Sequence, residues 1–337
     1  MKKTCFLIGM ATLSLLYTGC VNSNFLHAKN VELHGKWESF YRDINCSNLT
    51  ESYSLTDNIK SSFEVSVEFA KWYILGNKYS LTEMKRYLKR FVWMPINFEI
   101  RLGDMLHRER KDVVPNKGRY KRYYKQANRY LHNILKEIDI KSPYKFQIYI
   151  VRGNTKSLFS YPGGKIYVTR RAFSDKDFVR FALAHEMSHI LKRHYVKEYQ
   201  NLILDTIDNK DDLIKTIKSI RTDNVSDKDF QKLSSKIAQV YAARDTLVKI
   251  TETLSNNQEI EADSCAVRLL AKENDLNNII RAALSDLENE KVTYYKENGS
   301  LARIFDLNFH SHPSSSERID NVKNIYKIVM NKQDTAL

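Results

Sequence analysis

The sequence predicts an α+β protein that is mostly helical and carries one small sheet. Three observations support this fold class. The chain has 337 residues, and 42% of them are hydrophobic, which is enough for a packed core. Glycines and prolines are few (ten and five), and long segments place apolar residues at helical spacing. The alternation of polar and apolar residues that is typical of strands is found between residues 145 and 169.

Residues 1–19 have the features of a lipoprotein signal peptide. Two lysines precede an apolar run, residues 6–16, which is too short to span a bilayer, and a glycine stands directly before Cys20. Lipidation would make Cys20 the first mature residue and anchor the chain to a membrane through acyl chains. Val21 then favours the outer membrane of a bacterial envelope, with the protein facing the periplasm. An ordinary cleaved signal and an uncleaved anchor are the alternatives.

Residues 20–118 are predicted to form a helical, aromatic-rich region. All three tryptophans lie here, and helical patterns cover about 61–75 and 81–92. The region contains no motif of catalysis or metal binding. It is interpreted as a structural domain that packs on the rest of the chain, or as a surface that recognises a substrate or partner.

A basic segment runs from Arg108 to Arg129. It carries nine lysines and arginines against two acidic residues, with tyrosines between them, in a chain of net charge +14. Such a segment can bind polyanions. Because an exported lipoprotein rarely meets cellular nucleic acid, anionic lipid head groups or lipopolysaccharide are the predicted contact. A solvated face of a helix, predicted over 118–138, is the alternative.

Three short strands are predicted next. Residues 145–151 alternate in polarity, and residues 157–160 and 165–169 form a pair. The pair is joined by Tyr161-Pro-Gly-Gly164. Pro followed by Gly fits the central positions of a type II turn, because Gly accepts a positive φ.

The pattern His185-Glu186-x-x-His189 is the central feature of the chain. Ser174 and Asp177 have the spacing of a capping box before it, and the surrounding apolar residues predict a buried helix. Residues four apart share one face of a helix, so both imidazoles can reach one metal ion. The glutamate after the first histidine can take a proton from a water bound there. The pattern is typical of zinc hydrolases; two core histidines without a metal are the alternative.

A third histidine ligand is absent from the position, ten residues after the first, where some zinc proteases place one. Tyr195 stands there, and His194 is one residue early. Residues 195–255 form a strongly charged insertion with helical patterns, interpreted either as a lid over a cleft or as a solvent-facing helical hairpin. The third ligand is therefore expected from a helix beyond this insertion.

Carboxylates at the start of a later amphipathic helix are the candidates for that ligand. Glu259 and Asp263 lie four residues apart, so one can bind the metal while the other holds a ligand histidine by its free ring N–H. By spacing alone, Glu261 competes with Glu259. A solvated acidic face is the alternative.

The residues of four segments together resemble the M48 metallopeptidases. These segments are His185-Glu186-x-x-His189, Glu259-x-Glu-Ala-Asp263, the Pro-Gly-Gly segment Phe159–Thr169, and Ser311-His312-Pro313 through Glu317-Arg318. The resemblance covers about residues 120–326. Since no stretch after the signal is apolar enough to span a membrane, the chain resembles bacterial envelope members such as BepA and LoiP more than HtpX or the CAAX prenyl proteases.

The resemblance implies a zincin-like metalloprotease domain at about residues 119–330, with the small sheet packed beside the metal helix. It implies one Zn²⁺ per chain, with the ligands His185, His189 and Glu259. Asp263 would support a ligand from behind, and Glu186 would act as the general base.

The resemblance also implies roles around the substrate. His312 and Arg318 would stabilise the oxyanion, although in some relatives the matching histidine approaches the zinc and silences the site. An edge strand formed by Ser157, Leu158, Phe159 and Ser160 would pair with the substrate main chain. A purely structural hairpin is the alternative for this strand.

The implied function is that of a zinc-dependent metalloendopeptidase of the bacterial cell envelope, which hydrolyses peptide bonds of misfolded or unassembled envelope proteins. The alternative is a catalytically silenced, zinc-binding envelope chaperone or assembly factor.

Two cysteines, Cys46 and Cys265, remain besides Cys20 once the signal is removed. They could pair in an oxidising compartment, but their separation in sequence does not report proximity. For Cys265, on the presumed ligand helix, a buried free thiol is predicted.

Overall fold

The structure of the chain is a computed structural model. It describes residues 80–89, 92–137, 144–221, 225–226, 228–233, 248–296 and 316–334. The predictions for the signal peptide, lipidation at Cys20, the helical segment at 61–75, Cys46 and His312 fall outside these ranges. Within them the fold is mostly helical with one three-stranded sheet, as the sequence predicts.

The described elements follow one another as three helices, three strands and six helices. They are α1 (Leu81–Leu88), α2 (Ile96–Glu109), α3 (Lys121–Glu137), β1 (Gln147–Val151), β2 (Leu158–Tyr161), β3 (Lys165–Thr169), α4 (Lys176–Leu191), α5 (His194–Asp205), α6 (Lys210–Arg221), α7 (Val248–Leu269), α8 (Leu276–Lys296) and α9 (Ser316–Asp334). Short 3₁₀ turns precede α3 and α4. None of the helices in the described ranges is long and apolar enough to cross a membrane.

The sheet has the strand order β1-β3-β2. β1 runs parallel to β3, whereas β2 runs antiparallel to it with Phe159 opposite Tyr167, so β2 forms one edge of the described sheet. In the turn between β2 and β3, Gly163 has φ 77° and Gly164 has φ 89°, which agrees with the predicted need for glycine. The turn lies against α2, because a Cβ added at Gly163 would lie 2.8 Å from Cα of Ile100.

α4 is the central helix and is buried on nearly all sides. Its N-cap is Asp175, whose carboxylate accepts hydrogen bonds from the backbone N–H groups of Asp177 (3.1 Å) and Phe178 (3.0 Å). The prediction that Ser174 caps the helix is therefore wrong by one residue; the carboxylate of Asp175 also interacts favourably with the positive end of the helix dipole. Almost every residue from 178 to 191 is buried, against α7, α8, β2 and α3.

A second core joins α1 and α2 to α5 and α6. It contains apolar side chains from all four helices, among them Leu88, Phe98, Ile203 and Ile217. The side chain of Gln200 crosses this core: its Oε1 accepts from the backbone N–H of Trp93 at 2.9 Å, and its Nε2 donates to the carbonyl of Leu88 at 3.2 Å.

This second core has a consequence for the organisation of the chain. The described part of the N-terminal region and the first two helices of the 195–255 insertion share one set of buried side chains. These insertion helices are therefore packed into the protein and do not form a separate solvent-facing hairpin. The boundary at residues 118 and 119 and the action of the insertion as a lid stay predictions.

Cys265 lies on α7 and is fully buried. The prediction of a free thiol is wrong, because this residue is disulfide-bonded. The other cysteines of the chain, Cys5, Cys20 and Cys46, all lie outside the described residues. The pairing depends on which segment packs beside α7, a property that spacing along the sequence does not report.

Candidate metal centre

Two helices bring together three side chains that could bind one metal ion. His185 and His189 lie one turn apart on α4, and Glu259 lies on α7, which packs along α4. The Nε2 atoms of the two imidazoles are 3.0 Å apart. Each carboxylate oxygen of Glu259 lies 3.2 Å from one of them. All three side chains are buried, and no other cluster in the described ranges has metal-binding spacing.

This donor set fits a zinc ion. Zinc is bound tetrahedrally by imidazole nitrogen and carboxylate oxygen at about 2.0–2.2 Å, so neighbouring donor atoms around it are roughly 3.3–3.5 Å apart. The donor pairs measured here are 3.0–3.2 Å apart, close to that spacing. Three protein ligands also leave one position open for water or substrate, which is the arrangement of catalytic zinc sites.

Asp263 and Arg318 support these ligands from behind. Nδ1 of His185 lies 2.8 Å from Oδ1 of Asp263, which directs the other ring nitrogen towards the metal site. Arg318, on α9, donates from Nε and Nη2 to Asp263 at 2.7 and 2.9 Å, and its Nη1 lies 3.4 Å from Glu259. Burial acts to raise the pKa of Asp263, but the charge of Arg318 and the hydrogen bonds from both partners lower it.

The observed contacts of Arg318 differ from its predicted contact with the oxyanion. The structure shows its guanidinium against the carboxylates of Asp263 and Glu259, buried at the join between α7 and α9. Its predicted role at the oxyanion stays a prediction, as does that of His312.

Glu261, the competitor of Glu259, lies on a different side of α7. Its Oε1 is 2.8 Å from Nζ of Lys192, and its Oε2 is 3.1 Å from Nε2 of His194. Nδ1 of His194 in turn lies 2.9 Å from Nδ1 of His189. The structure therefore brings Glu259, not Glu261, to the two histidines.

Comparison with known families tests the resemblance. The model of Peptidase family M48 matches residues 123–326, which is more than half of the chain and contains every residue of the metal centre. The chain belongs to peptidase family M48. M48 peptidases are zinc-dependent metallopeptidases, in keeping with the donor set found here. A comparison with curated proteins finds no match.

In this M48 peptidase, the carboxylate beside the metal ligands is also held in place. Glu186 is buried, and its Oε2 accepts a hydrogen bond from the hydroxyl of Ser160 at 2.6 Å. Ser160 is also hydrogen-bonded to Tyr195. Burial, together with the nearby charges of Glu186 and Glu259, raises the pKa of Tyr195 well above its usual value. The phenol therefore stays protonated beside the site.

The edge strand of the M48 domain differs slightly from the predicted one. The strand is Leu158–Tyr161, one residue later than predicted, and it packs against α4. Ser157 precedes it and donates its backbone N–H to Oγ1 of Thr169 at 3.1 Å. Ser160 directs its hydroxyl to Glu186. Pairing of this edge with a substrate main chain stays a prediction.

The two candidate ligand histidines of the M48 domain differ in proton affinity. Burial lowers the pKa of His189 to about 4, so this ring is neutral near pH 7 and offers a lone pair. Burial acts in the same direction on His185, but the contacts with Asp263 and Glu259 outweigh it and raise the pKa. When a metal cation binds, its positive charge would replace the charge of a protonated His185 beside these carboxylates.

Sequence reasoning missed the contacts of His194 and Tyr195 with the site. α4 ends at Leu191, and Arg193 adopts a left-handed conformation with φ 57° that turns the chain into α5. The guanidinium of Arg193 holds this turn by donating to Glu99 at 3.0 Å. The turn returns His194 to His189, and no periodicity in the sequence reports it.

Proposed function

We propose that this M48 peptidase is a zinc-dependent endopeptidase of the bacterial cell envelope, which cleaves misfolded or unassembled envelope proteins. The observation that carries the catalytic part is the convergence of His185, His189 and Glu259, with Glu186 buried beside them. Three protein donors and a separate carboxylate are the minimum set for hydrolysis by an activated water.

The residues of the site divide the chemistry between them. Bound zinc would supply a Lewis acid that lowers the pKa of a water molecule and polarises the peptide carbonyl. Glu186 accepts a proton from the attacking water and passes it to the leaving amine. The hydroxyl of Ser160 orients the carboxylate for both transfers, and the edge of β2 aligns the substrate main chain.

Two features support the envelope assignment. The chain starts with a basic and apolar segment followed by Cys20, which is the pattern of an exported lipoprotein. Cys265 is disulfide-bonded, and disulfides persist mainly in oxidising compartments such as the periplasm. On this basis the chain is grouped with the envelope members of the family, such as BepA and LoiP.

Replacing Cys20 by Ala should release the protein from the membrane fraction.

The catalytic proposal is tested by metal content and casein cleavage of the purified chain. Glu186→Gln should keep its zinc but lose at least about a thousandfold in kcat, because no base remains to take the proton. Glu259→Ala should lose zinc and activity together, whereas Glu261→Ala should keep measurable amounts of both. Full zinc-dependent cleavage by Glu186→Gln would contradict the mechanism.

The same variants distinguish a peptidase from a silenced chaperone. If wild type and Glu186→Gln rescue an envelope defect equally well, and neither cleaves casein, the chaperone function replaces the proposed one. The hydrogen bond from Ser160 to Glu186 favours turnover, because it orients a carboxylate that a purely structural zinc site does not need.

We also propose that the exposed face of α3 contacts anionic lipid head groups. Its apolar residues, such as Tyr124 and Leu131, are buried, whereas Lys121, Arg122, Lys125 and Arg129 point outwards. Arg110, although part of the basic segment, has a side chain that is only 10% exposed and is paired with Asp112, so it does not belong to this face.

Vesicle binding of the full chain with Cys20→Ala tests this contact. Lys121→Gln with Lys125→Gln should weaken binding to phosphatidylglycerol vesicles about tenfold or more, since each lysine near an anionic surface contributes about 1 kcal/mol. Lys323→Gln with Lys327→Gln is the matched control, because it is also an exposed lysine pair one turn apart. Vesicles with lipopolysaccharide identify the head group, and equal losses in both pairs would refute the proposal.

A further inference from the structure

We propose that His194 and Glu261 form a hydrogen-bonded chain that holds the metal ligand His189 in its binding tautomer and orientation. They are positioning residues and do not touch the substrate. The inference rests on the zinc site proposed above, since it concerns how one ligand of that site is supported.

Three consecutive contacts make up this hydrogen-bonded chain. Nδ1 of His194 lies 2.9 Å from Nδ1 of His189, and the two rings meet edge to face at 79°. Nε2 of His194 lies 3.1 Å from Oε2 of Glu261, whose other oxygen is 2.8 Å from Nζ of Lys192. Both histidines are buried, so water does not compete for their ring nitrogens.

The direction of each hydrogen bond follows from the metal site. Two ring nitrogens at hydrogen-bond distance require a hydrogen on one and a lone pair on the other. Because Nε2 of His189 faces Glu259 and the metal site, its hydrogen must be on Nδ1, which donates to His194. His194 must then carry its hydrogen on Nε2 and donate it to Glu261. One arrangement alone satisfies every atom.

The hydrogen-bonded chain behind His189 resembles the contacts that support His185, the other histidine of the site. There the order is His185, Asp263 and Arg318: an imidazole, a carboxylate and a cation. Around His189 the order ends in the same way, with Glu261 and Lys192, but the extra imidazole of His194 spans the gap. Carboxylates or other acceptors behind ligand histidines orient the ring and strengthen its binding.

Zinc affinity of the full chain, measured by competition with a fluorescent chelator, tests the role of His194. His194→Phe fills the space but accepts no hydrogen bond, and it should weaken zinc binding about 10- to 100-fold. His194→Asn offers an oxygen near the position of Nδ1, so it should stay within a few-fold of wild type. Ile203→Val, a buried change on the same helix, controls for general loosening and should leave affinity unchanged.

Glu261→Gln extends the test to the end of the chain of contacts. It should weaken zinc binding less than His194→Phe does. The double variant should be no weaker than His194→Phe alone, because Glu261 acts through His194. Glu261 is only partly buried, so this variant keeps the test decisive even if His194→Phe fails to fold.

Nitrogen-15 NMR of histidine-labelled, zinc-loaded protein gives an independent readout. His194 should be the neutral tautomer with its hydrogen on Nε2, and His189 should carry its hydrogen on Nδ1. A hydrogen on Nδ1 of His194, or unchanged zinc affinity in both His194→Phe and Glu261→Gln, would overturn the inference and leave the proposed function standing. Absence of zinc binding by wild type would overturn both.

Discussion

Ser160 illustrates, at the level of the single residue, how a side chain outside the motif determines the geometry of one inside it. Its hydroxyl lies 2.6 Å from Oε2 of Glu186 and so fixes one carboxylate oxygen of the proposed base. Glu186 is buried, and a buried carboxylate oxygen requires a hydrogen-bond donor, which Ser160 provides here. The orientation of Glu186 therefore depends on β2 as well as on its own helix.

Replacing Ser160 by Ala should lower kcat for casein about tenfold and leave zinc content unchanged. The physical reason is that Glu186 remains but samples orientations that do not reach the attacking water. Steady-state kinetics with metal analysis measure both. Ser157→Ala, just before the same strand, is the matched control, and an equal loss of kcat there would mean that the strand itself had been disturbed.

Glu261 provides an electrostatic test at the same scale. Burial acts to raise its pKa, but the hydrogen bond from His194 and the contact with Lys192 lower it to about 2. The folded state thus favours the ionised carboxylate relative to the unfolded chain. The resulting stabilisation is fully present above about pH 4.5 and is lost as the pH falls towards 2.

The difference in unfolding free energy between wild type and Glu261→Gln should follow this dependence. It should be largest at neutral pH, at most about 3 kcal/mol, and should shrink as the pH falls below about 4.5. Urea denaturation at pH 7, 5 and 3.5 measures it. A difference that grows on acidification would show that Glu261 is not held as an ionised partner.

The turn between β2 and β3 shows how one element is adjusted to its neighbours. Gly163 combines a φ of 77° with a close approach to α2. Gly103 of α2 is closer still from the other side, since a Cβ there would meet the carbonyl oxygen of Pro162 at 1.9 Å. These two contacts position the hairpin, and through it Ser160 is brought to Glu186.

Gly163→Ala should destabilise the protein by about 2–4 kcal/mol, because it adds a steric overlap to an unfavourable φ. Gly118→Ala separates the two causes. Gly118 has φ 54°, but an added Cβ there would meet nothing within 4 Å, so only the backbone term of about 1 kcal/mol should appear. Thermal and urea unfolding compare them, and equal effects would rule out the close packing of the turn on α2.

The metal centre links distant parts of the whole molecule. α4 and α7 supply the candidate ligands, α9 supplies Arg318, and α5 supplies His194. Glu259 and both histidines are buried close together, so their polar atoms are best satisfied when a cation lies between them. Zinc should therefore stabilise the folded protein, and its removal should weaken the packing of all of these helices.

Removal of zinc with a strong chelator should lower the melting temperature of wild type by several degrees. Binding to the folded state alone contributes about 2.7 kcal/mol when free zinc is 100 times its Kd. His189→Ala should melt at the same temperature with and without the chelator, since it lacks a ligand. Calorimetry of the four samples measures this; a chelator effect that persists in His189→Ala would place the stabilising metal elsewhere.

Local patterns were sufficient for much of the fold and of the site. Helical periodicity predicted the α4 helix, the spacing of His185 and His189 placed both imidazoles on one face, and Pro-Gly-Gly predicted the tight turn. Two of the errors were also local. The N-cap is Asp175 and not the predicted Ser174, and β2 begins one residue later than predicted.

By itself, the sequence determined the mostly helical fold with its small sheet, the two histidine donors and the adjacent Glu186, because these depend on the spacing of residues within one element. Only the tertiary structure decided between Glu259 and Glu261, joined Cys265 in a disulfide, and brought His194 to His189. The glutamates lie 70 or more residues beyond His189. Which of them reaches the metal is set by the rotation of α7 against α4, and that rotation arises from packing over the whole interface.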